Sequence, residues 1–280
     1  MRHIVLAAAL LAVYTAAPST AHALLIDSFD SSQGGSLTAS PPVSASSTLD
    51  DVTVIGGERD LFFLKSSGAS PRPFSAESNF FAAGTFGVQR QSGVTGRALL
   101  QYDGEDNTAP SSYPGVTGSS PFVSASDRLD PRFGLNPTGL GGLDFTEGGV
   151  HDTFSVDVLS AAGTNILRFT VFTSALLASY LDVVVPNGTM GSVFLQYDDF
   201  VVASHLGATG AADFSNVGAL TVGFTGTADA DIEINLLETA VFVPEPTSLT
   251  MLGFGAVALA GYRTRRRRKL AGPAGPGPQG

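Results

Sequence analysis

The chain of 280 residues contains no cysteine, no tryptophan and only four histidines. Without cysteine it forms neither disulfides nor thiolate metal sites. His3 and His22 lie in the first 23 residues, which leaves His151 and His205 for the rest of the chain. Two separated histidines argue against a histidine-built zinc site. The fold must therefore depend on its apolar core, with bound ions as the one remaining support.

Motifs of nucleophilic enzymes are missing as well. The sequence has no Gly-x-Ser-x-Gly elbow and no Ser-x-x-Lys, and we expect structural or solvent-exposed roles for both remaining histidines. Acidic pairs such as Asp50-Asp51 and Asp198-Asp199 do not suggest a glycosidase, because neighbours in a strand point to opposite faces. Glycosidase carboxyls instead face each other across a cleft at ~5–10 Å. The sequence predicts a protein that is not an enzyme, and a secreted glycoside hydrolase is the least favoured alternative.

Cationic side chains are scarce between the two ends of the chain. The whole sequence has 15 Lys and Arg against 25 Asp and Glu, whereas residues 24–242 have 8 against 24. This region therefore has a net charge of −16, compared with −10 for the whole chain. Such a surface disfavours nucleic acid and anionic lipid as partners. It suits solubility outside the cell and weak binding of divalent cations.

The first 23 residues have the pattern of an export signal. A positive start at Met1 to His3 precedes an apolar run from Ile4 to Val13, and Ala21-His22-Ala23 fits the small-x-small cleavage pattern. We predict a signal peptide over 1–23 and a mature chain that begins near Leu24.

The last forty residues contain three unlike segments in a fixed order. Pro244 and Pro246 disfavour helical geometry in Val243-Pro244-Glu245-Pro246-Thr247, so this strip is expected to be extended. Residues 247–262 form an uncharged apolar run, which as a helix is about 24 Å long, somewhat short of the ~30 Å hydrocarbon core. A cationic cluster over 263–269 follows and belongs on the cytoplasmic side; it comprises Arg263, Arg265, Arg266, Arg267, Arg268 and Lys269.

This order resembles the PEP-CTERM sorting domain of Gram-negative bacteria, with its motif at Val243 to Ser248, its helix at Leu249 to Tyr262 and its basic end at Arg263 to Lys269. The resemblance implies an exosortase as partner, transient anchoring in the inner membrane, and cleavage near Val243, Pro244, Glu245 and Pro246. It also implies association with exopolysaccharide and a final place at the cell surface or in the extracellular matrix. The Gly/Pro tail at 270–280 departs from the family, which usually ends after the basic cluster. An ordinary single-span anchor is the alternative.

Residues 24–242 are predicted to form one all-β domain, a β-sandwich or jelly roll. Alternation with period two recurs, and no apolar period of 3.6 is sustained. Two hairpins are predicted, one from 153–159 and 166–173, the other from 220–224 and 232–236. Residues 107–136, dense in Ser, Pro and Gly, are expected to be a long irregular loop. Further strands are predicted at 24–29, 52–55, 60–65, 85–91, 97–102, 180–185 and 193–196.

The order of three short segments is similar to that in galactose-binding-like jelly rolls, the fold of many carbohydrate-binding modules. These segments are Leu25 to Phe29, Val193 to Phe200 and Asp213 to Val217. The resemblance implies a carbohydrate-binding module as the second candidate function. Because sugar rings stack on aromatic faces and tryptophan is absent, Tyr113 in the irregular loop is the predicted glycan contact.

Structural calcium is the predicted chemistry if the domain holds an ion, because hard cations take several oxygen ligands and acidic loops supply them. Asp103, Glu105 and Asp106 surround a glycine turn, and Asp27 and Asp30 lie near the first strand. A solvated turn is the alternative for both groups. The leading prediction for the whole chain is an exported, non-catalytic surface or matrix protein.

Overall fold

A computed structural model describes residues 23–79, 81–105, 130, 132 and 134–242, and these residues form an all-β sandwich without an α-helix. The strands are β1 (Leu25–Asp27), β2 (Gly34–Leu37), β3 (Val43–Asp50), β4 (Glu58–Ser67), β5 (Phe74–Ser78), β6 (Phe86–Arg90), β7 (Thr95–Tyr102), β8 (Thr153–Ala162), β9 (Asn165–Ser174), β10 (Leu177–Val185), β11 (Gly191–Gln196), β12 (Val201–Val202), β13 (Ala219–Gly226) and β14 (Asp231–Ala240). They form two seven-stranded antiparallel sheets. The predicted fold class, a β-sandwich, is confirmed.

The first sheet has the order β11-β8-β14-β6-β5-β2, and β1 pairs with the second half of β14. The second sheet has the order β12-β10-β9-β13-β7-β4-β3. All of these strands belong to one compact unit that ends at Phe242.

Most predicted strands are present, but the one at 52–55 is wrong. A turn occupies this stretch, followed by a 3₁₀ turn at Ile55–Gly57 in which both glycines have positive φ. The isolated valines and isoleucine had suggested a strand, but the backbone reverses here between β3 and β4. The signal peptide and the sorting segments lie outside the described residues, as does most of the irregular loop. Among the described residues no helix is long and apolar enough to cross a membrane.

Both predicted hairpins are wrong, because each short turn crosses from one sheet to the other. β8 pairs with β11 and β14, whereas β9 pairs with β10 and β13. Similarly, β13 lies in the second sheet and β14 in the first. β8 therefore faces β9 across the core, and β13 faces β14 in the same way. The two strands of each predicted hairpin share no hydrogen-bonded ladder. Alternation identifies the buried face of a strand but leaves its hydrogen-bonded neighbour open.

The core fills the space between the sheets with aliphatic and phenylalanine side chains. Phe154 on β8 stacks on Phe169 of β9, with ring centroids 5.5 Å apart. Its ring also contacts Phe145, Tyr197, Phe200 and Phe214, all in loops that close this end of the sandwich. Most of the phenylalanines therefore serve as core, as expected in a sandwich without tryptophan.

A buried ionic network joins the two sheets at the start of the domain. Arg59 on β4 donates to Asp27 on β1 at 2.7 Å, and both side chains are 1% exposed. Arg59 also donates to Gln33 at 2.8 Å, and the Tyr102 hydroxyl donates to the same Asp27 oxygen at 2.9 Å. Burial raises the pKa of the Asp27 carboxyl, and the neighbouring Arg59 guanidinium opposes this shift.

Candidate functional site

A row of mostly polar side chains crosses the outer face of the second sheet. Strand register places its members directly opposite one another on neighbouring strands. In the order of the strands from β3 to β10 they are Thr48, Asp60, Gln101, Thr221, Thr170 and Tyr180. We call this set the polar row.

The centre of the polar row is buried. Asp60, Gln101, Thr170 and Thr221 are at most 1% exposed, although they point away from the core. The hydroxyls of Thr170 and Thr221 have no hydrogen-bond partner in the described part of the chain. Buried hydroxyls are usually paired, since burial without a partner costs roughly 1–3 kcal/mol. These two hydroxyls therefore offer hydrogen bonds to an additional polar group.

Three carboxylates meet where the polar row crosses β4. Glu58, Asp60 and Asp103 are all about 1% exposed, and one oxygen from each lies within 4.8 Å of the others. Asp60 accepts from the Thr48 hydroxyl at 2.6 Å, and Asp103 accepts from the Asn136 backbone N–H at 2.6 Å. Glu58 and Asp60 alternate along one strand, which brings both to the same face. Among the described residues this is the one acidic group close enough to share an ion.

The described residues in which calcium binding was predicted have different surroundings. Asp103 joins Glu58 and Asp60, while Glu105 is exposed beside Gly57 and Asp106 lies outside the described residues. Asp27 belongs to the buried network with Arg59. The exposed Asp30 accepts from the Ser28 hydroxyl at 2.7 Å. Because Asp106 lies outside the described residues, the group of Asp103, Glu105 and Asp106 stays untested, and calcium binding stays a prediction.

Calorimetric titration with calcium tests this prediction. If Asp103 helps to hold calcium, binding raises the melting temperature, and Asp103→Asn removes that rise because it removes one anionic ligand. The matched control is Asp213→Asn, which removes an exposed carboxylate that caps its own turn. Absence of both binding heat and a melting-temperature rise in the unsubstituted chain contradicts the prediction.

The β10 end of the polar row is a cationic and aromatic cluster. The Arg168 guanidinium lies 4.5 Å from the centroid of the Tyr180 ring and donates to both carboxylate oxygens of Asp182, at 2.7 and 2.9 Å. The His205 ring meets Tyr180 edge-on at 4.6 Å. With Arg168 over the ring and His205 at its side, Tyr180 is poorly available for stacking on a sugar.

Two further tyrosines and His151 lie outside the polar row. Tyr102 is buried, and Tyr197 is stacked on Phe214 at 4.2 Å in the core rim. Tyr113, the predicted glycan contact, lies outside the described residues. His151 is 2% exposed and its Nδ1 lies 2.7 Å from the Thr239 hydroxyl. This position fits the structural role that we expect for His151.

Sequence reasoning missed the polar row and the carboxylate cluster. Glu58, Asp60 and Gln101 occur in segments that read as ordinary strands, and their common face appears only when β4 and β7 pair. One signal was available in the sequence, because an acidic residue alternating with core residues in an apolar strand is unusual.

Comparison with known proteins identifies the C-terminal segment. Residues 242–268 match the family model of the PEP-CTERM protein-sorting motif. The matched range includes every residue predicted for the sorting motif and all but one of the basic cluster. No curated protein matches the chain.

Several solved structures share a distant likeness. A family 11 carbohydrate-binding module from Clostridium thermocellum, in complex with a β-1,3-1,4-mixed-linked tetrasaccharide, is 10% identical, with a TM-score of 0.34 over 80% of this chain and 98% of its own. The family 11 module of the cellulosomal cellulase Lic26A-Cel5E is also 10% identical, with a TM-score of 0.34 over 80% and 99%. An exo-β-agarase is 10% identical, with a TM-score of 0.33 over 81% and 26%. At this level of likeness, the ligands and activities of those proteins say nothing about this chain.

Proposed function

We propose that this chain is an exported, non-catalytic protein of the cell surface or extracellular matrix, which an exosortase cleaves near its PEP motif. The observation that carries the proposal is the position of the sorting motif. The matched segment begins at residue 242, and the compact β-unit ends at Phe242. A cut within 243–246 therefore releases the whole sandwich without removing a strand.

Two buried side chains that could act as acids or bases are engaged within the fold. Asp27 is occupied by Arg59 and Tyr102, and His151 is buried beside Thr239. A general base must reach the proton of its substrate, and neither side chain is exposed enough to do so. Delivery and surface function require only a stable, soluble domain, which the acidic sandwich provides.

Substitution of the motif tests the proposed sorting. We expect Pro244→Ala/Glu245→Ala/Pro246→Ala to abolish processing, so that the protein keeps residues 247–280 and stays in the membrane fraction. The measurement is mass spectrometry of the protein from its native host, with fractionation into membrane, surface and medium. The control is Pro186→Ala, which changes a proline in a surface turn. An intact C-terminus in the mature unsubstituted protein would overturn the proposal.

A second function, binding of a polyhydroxylated ligand such as a glycan, is favoured by the polar row. The unpartnered hydroxyls of Thr170 and Thr221 lie side by side on neighbouring strands. Sugar hydroxyls both donate and accept hydrogen bonds, so they match this pair without disturbing existing bonds. Because Thr170 and Thr221 are buried, binding requires a local opening of the structure around them, and we expect slow association.

Glycan-array binding, followed by kinetics on any polysaccharide that binds, tests the second function. We expect Thr170→Val/Thr221→Val to remove binding, since valine has a similar shape but no hydroxyl. Thr225→Val is the matched control, because Thr225 lies on the same face of β13 four residues away. Equal binding by the Thr170→Val/Thr221→Val and Thr225→Val variants excludes the polar row as the binding site. Loss of binding in Tyr113→Ala would instead place the binding site in the irregular loop.

A further inference from the structure

The two ends of the β-domain lie side by side. Leu24, where the mature chain is predicted to begin, donates its N–H to the Thr239 hydroxyl, and Thr239 donates its N–H to the Leu24 carbonyl at 2.9 Å. At the same end, the Phe242 N–H donates to Asp152 Oδ1 at 2.6 Å. The two segments predicted to insert into a membrane, the signal peptide and residues 247–262, are therefore joined to one end of the sandwich.

Exposed apolar side chains gather at this end, on the outer face of the first sheet. Register places Phe194, Ser155, Glu238 and Leu25 in one row across β11, β8, β14 and β1. Phe194 is 48% exposed and Leu25 40% exposed, and Phe242 contacts the Phe194 ring edge-on at 6.0 Å. Leu25, Phe194 and the partly exposed Phe242 form the set that we call the exit patch.

The chain that leaves the exit patch is too short to hold it far from a bilayer. Only residues 243–246 separate Phe242 from the predicted membrane-spanning run, and four extended residues reach at most about 14 Å. Exposed phenylalanine and leucine side chains are typical of surfaces that enter the headgroup region of a membrane. The Glu238 carboxylate lies within the row, between Ser155 and Leu25, and Asp152 lies beside Phe242, so a neutral lipid surface fits the patch better than an anionic one.

We propose that the exit patch rests on a zwitterionic lipid surface while the precursor is anchored, with Phe194 and Phe242 entering the headgroup region. This inference rests on the membrane anchoring in the proposed function. It also gives the domain an orientation, because the turns at 163–164 and 227–230 at the other ends of β8 and β14 then point away from the membrane. Cleavage near the PEP motif would separate the domain from its membrane anchor, and the exit patch would then leave the lipid.

The absence of tryptophan allows a direct test. In the full chain, reconstituted in phosphatidylcholine vesicles, Phe194→Trp places a single tryptophan in the patch. Met190→Trp is the matched control, since Met190 is a 78% exposed apolar residue just before the same strand. We expect emission at shorter wavelength and strong quenching by brominated phosphatidylcholine for Trp at position 194, and neither effect for Trp at position 190.

A second variant distinguishes contact of the exit patch with lipid from mere proximity to the membrane. In a Phe242→Trp chain, Phe194→Glu should shift the emission to longer wavelength and remove the quenching, because it places a charge in the patch. Identical emission and quenching at positions 194 and 190 would overturn the inference. Flotation of the vesicles separates the two proposals. A chain that does not float with lipid refutes the anchoring, and with it the docking, whereas a chain that floats with an unshifted Trp at position 194 refutes the docking alone.

Discussion

Arg59→Met should destabilise the domain by about 3–5 kcal/mol at pH 7, the typical cost of removing one partner of a buried ion pair. Methionine approximates the length of the arginine stem but leaves the Asp27 carboxylate without its cation. The Gln33 side chain and the Ser31 carbonyl lose their bonds to the guanidinium as well. Urea unfolding of the full chain in mild detergent, followed by circular dichroism, measures the loss.

The same variant should show a characteristic pH dependence. With Arg59 gone, only the hydrogen bonds from the Phe29 N–H and the Tyr102 hydroxyl still oppose the effect of burial on Asp27, so its folded-state pKa rises further above the unfolded value of about 3.9. The folded state then binds a proton that the unfolded state does not bind. Stability of Arg59→Met therefore increases as pH falls from the folded pKa toward the unfolded pKa. As the pH is lowered from 7 toward the unfolded pKa, we expect the difference in unfolding free energy between Arg59→Met and the unsubstituted chain to narrow.

Two controls make this result specific. Asp27→Asn/Arg59→Met should recover part of the loss, because it removes the uncompensated carboxylate, and the double-mutant cycle then gives a clear coupling energy. Tyr102→Phe, which deletes one donor to Asp27 and keeps the ring, should cost only about 1–2 kcal/mol. Strictly additive losses for Asp27 and Arg59 would show that the ion pair does not act as a unit.

The sequence was sufficient for the fold class and for most strands, because alternation marks a half-buried strand wherever it is long enough. β8 and β9 show this clearly, with Phe154 and Phe169 on their buried faces. The pairing of these strands was beyond the sequence, since a turn of two residues also permits a crossing between sheets. β3 was missed because Val43–Asp50 is mainly serine, alanine and threonine. Its assignment depends on pairing with β4 and not on its own apolar pattern.

The candidate sites also differ in whether the sequence alone could predict them. The sorting motif could be found from sequence, because its segments are contiguous and their order carries the signal. Asp103 was correctly noticed as acidic and close to a turn, but its neighbours Glu58 and Asp60 are more than forty residues away in the chain. The unpartnered hydroxyls of Thr170 and Thr221 depend on register between β9 and β13. No local pattern distinguishes these threonines from the others of a threonine-rich sheet.

Phe154→Ala should cost about 3–5 kcal/mol, the range for a phenylalanine removed from a packed core. The ring lies between the sheets and contacts Phe169 as well as the four loop aromatics Phe145, Tyr197, Phe200 and Phe214. Its removal loosens the closure of the sandwich at this end. Melting temperature and urea unfolding measure the effect, and Phe194→Ala, on the neighbouring strand but half exposed, should cost far less.

The neighbours of Phe154 decide where in that range the loss falls. Tyr197 is the aromatic ring closest to it, with centroids 5.1 Å apart, but its hydroxyl donates to the Phe145 carbonyl at 3.1 Å and its ring is stacked on Phe214. Movement of Tyr197 into the cavity would break both contacts, so the cavity should stay open and the loss should lie near 5 kcal/mol. Phe154→Leu keeps part of the volume and should lose less than half as much. If Phe154→Ala costs no more than Phe154→Leu, the loop aromatics collapse into the space, and their positions are set by Phe154 rather than by the hydrogen bond of Tyr197.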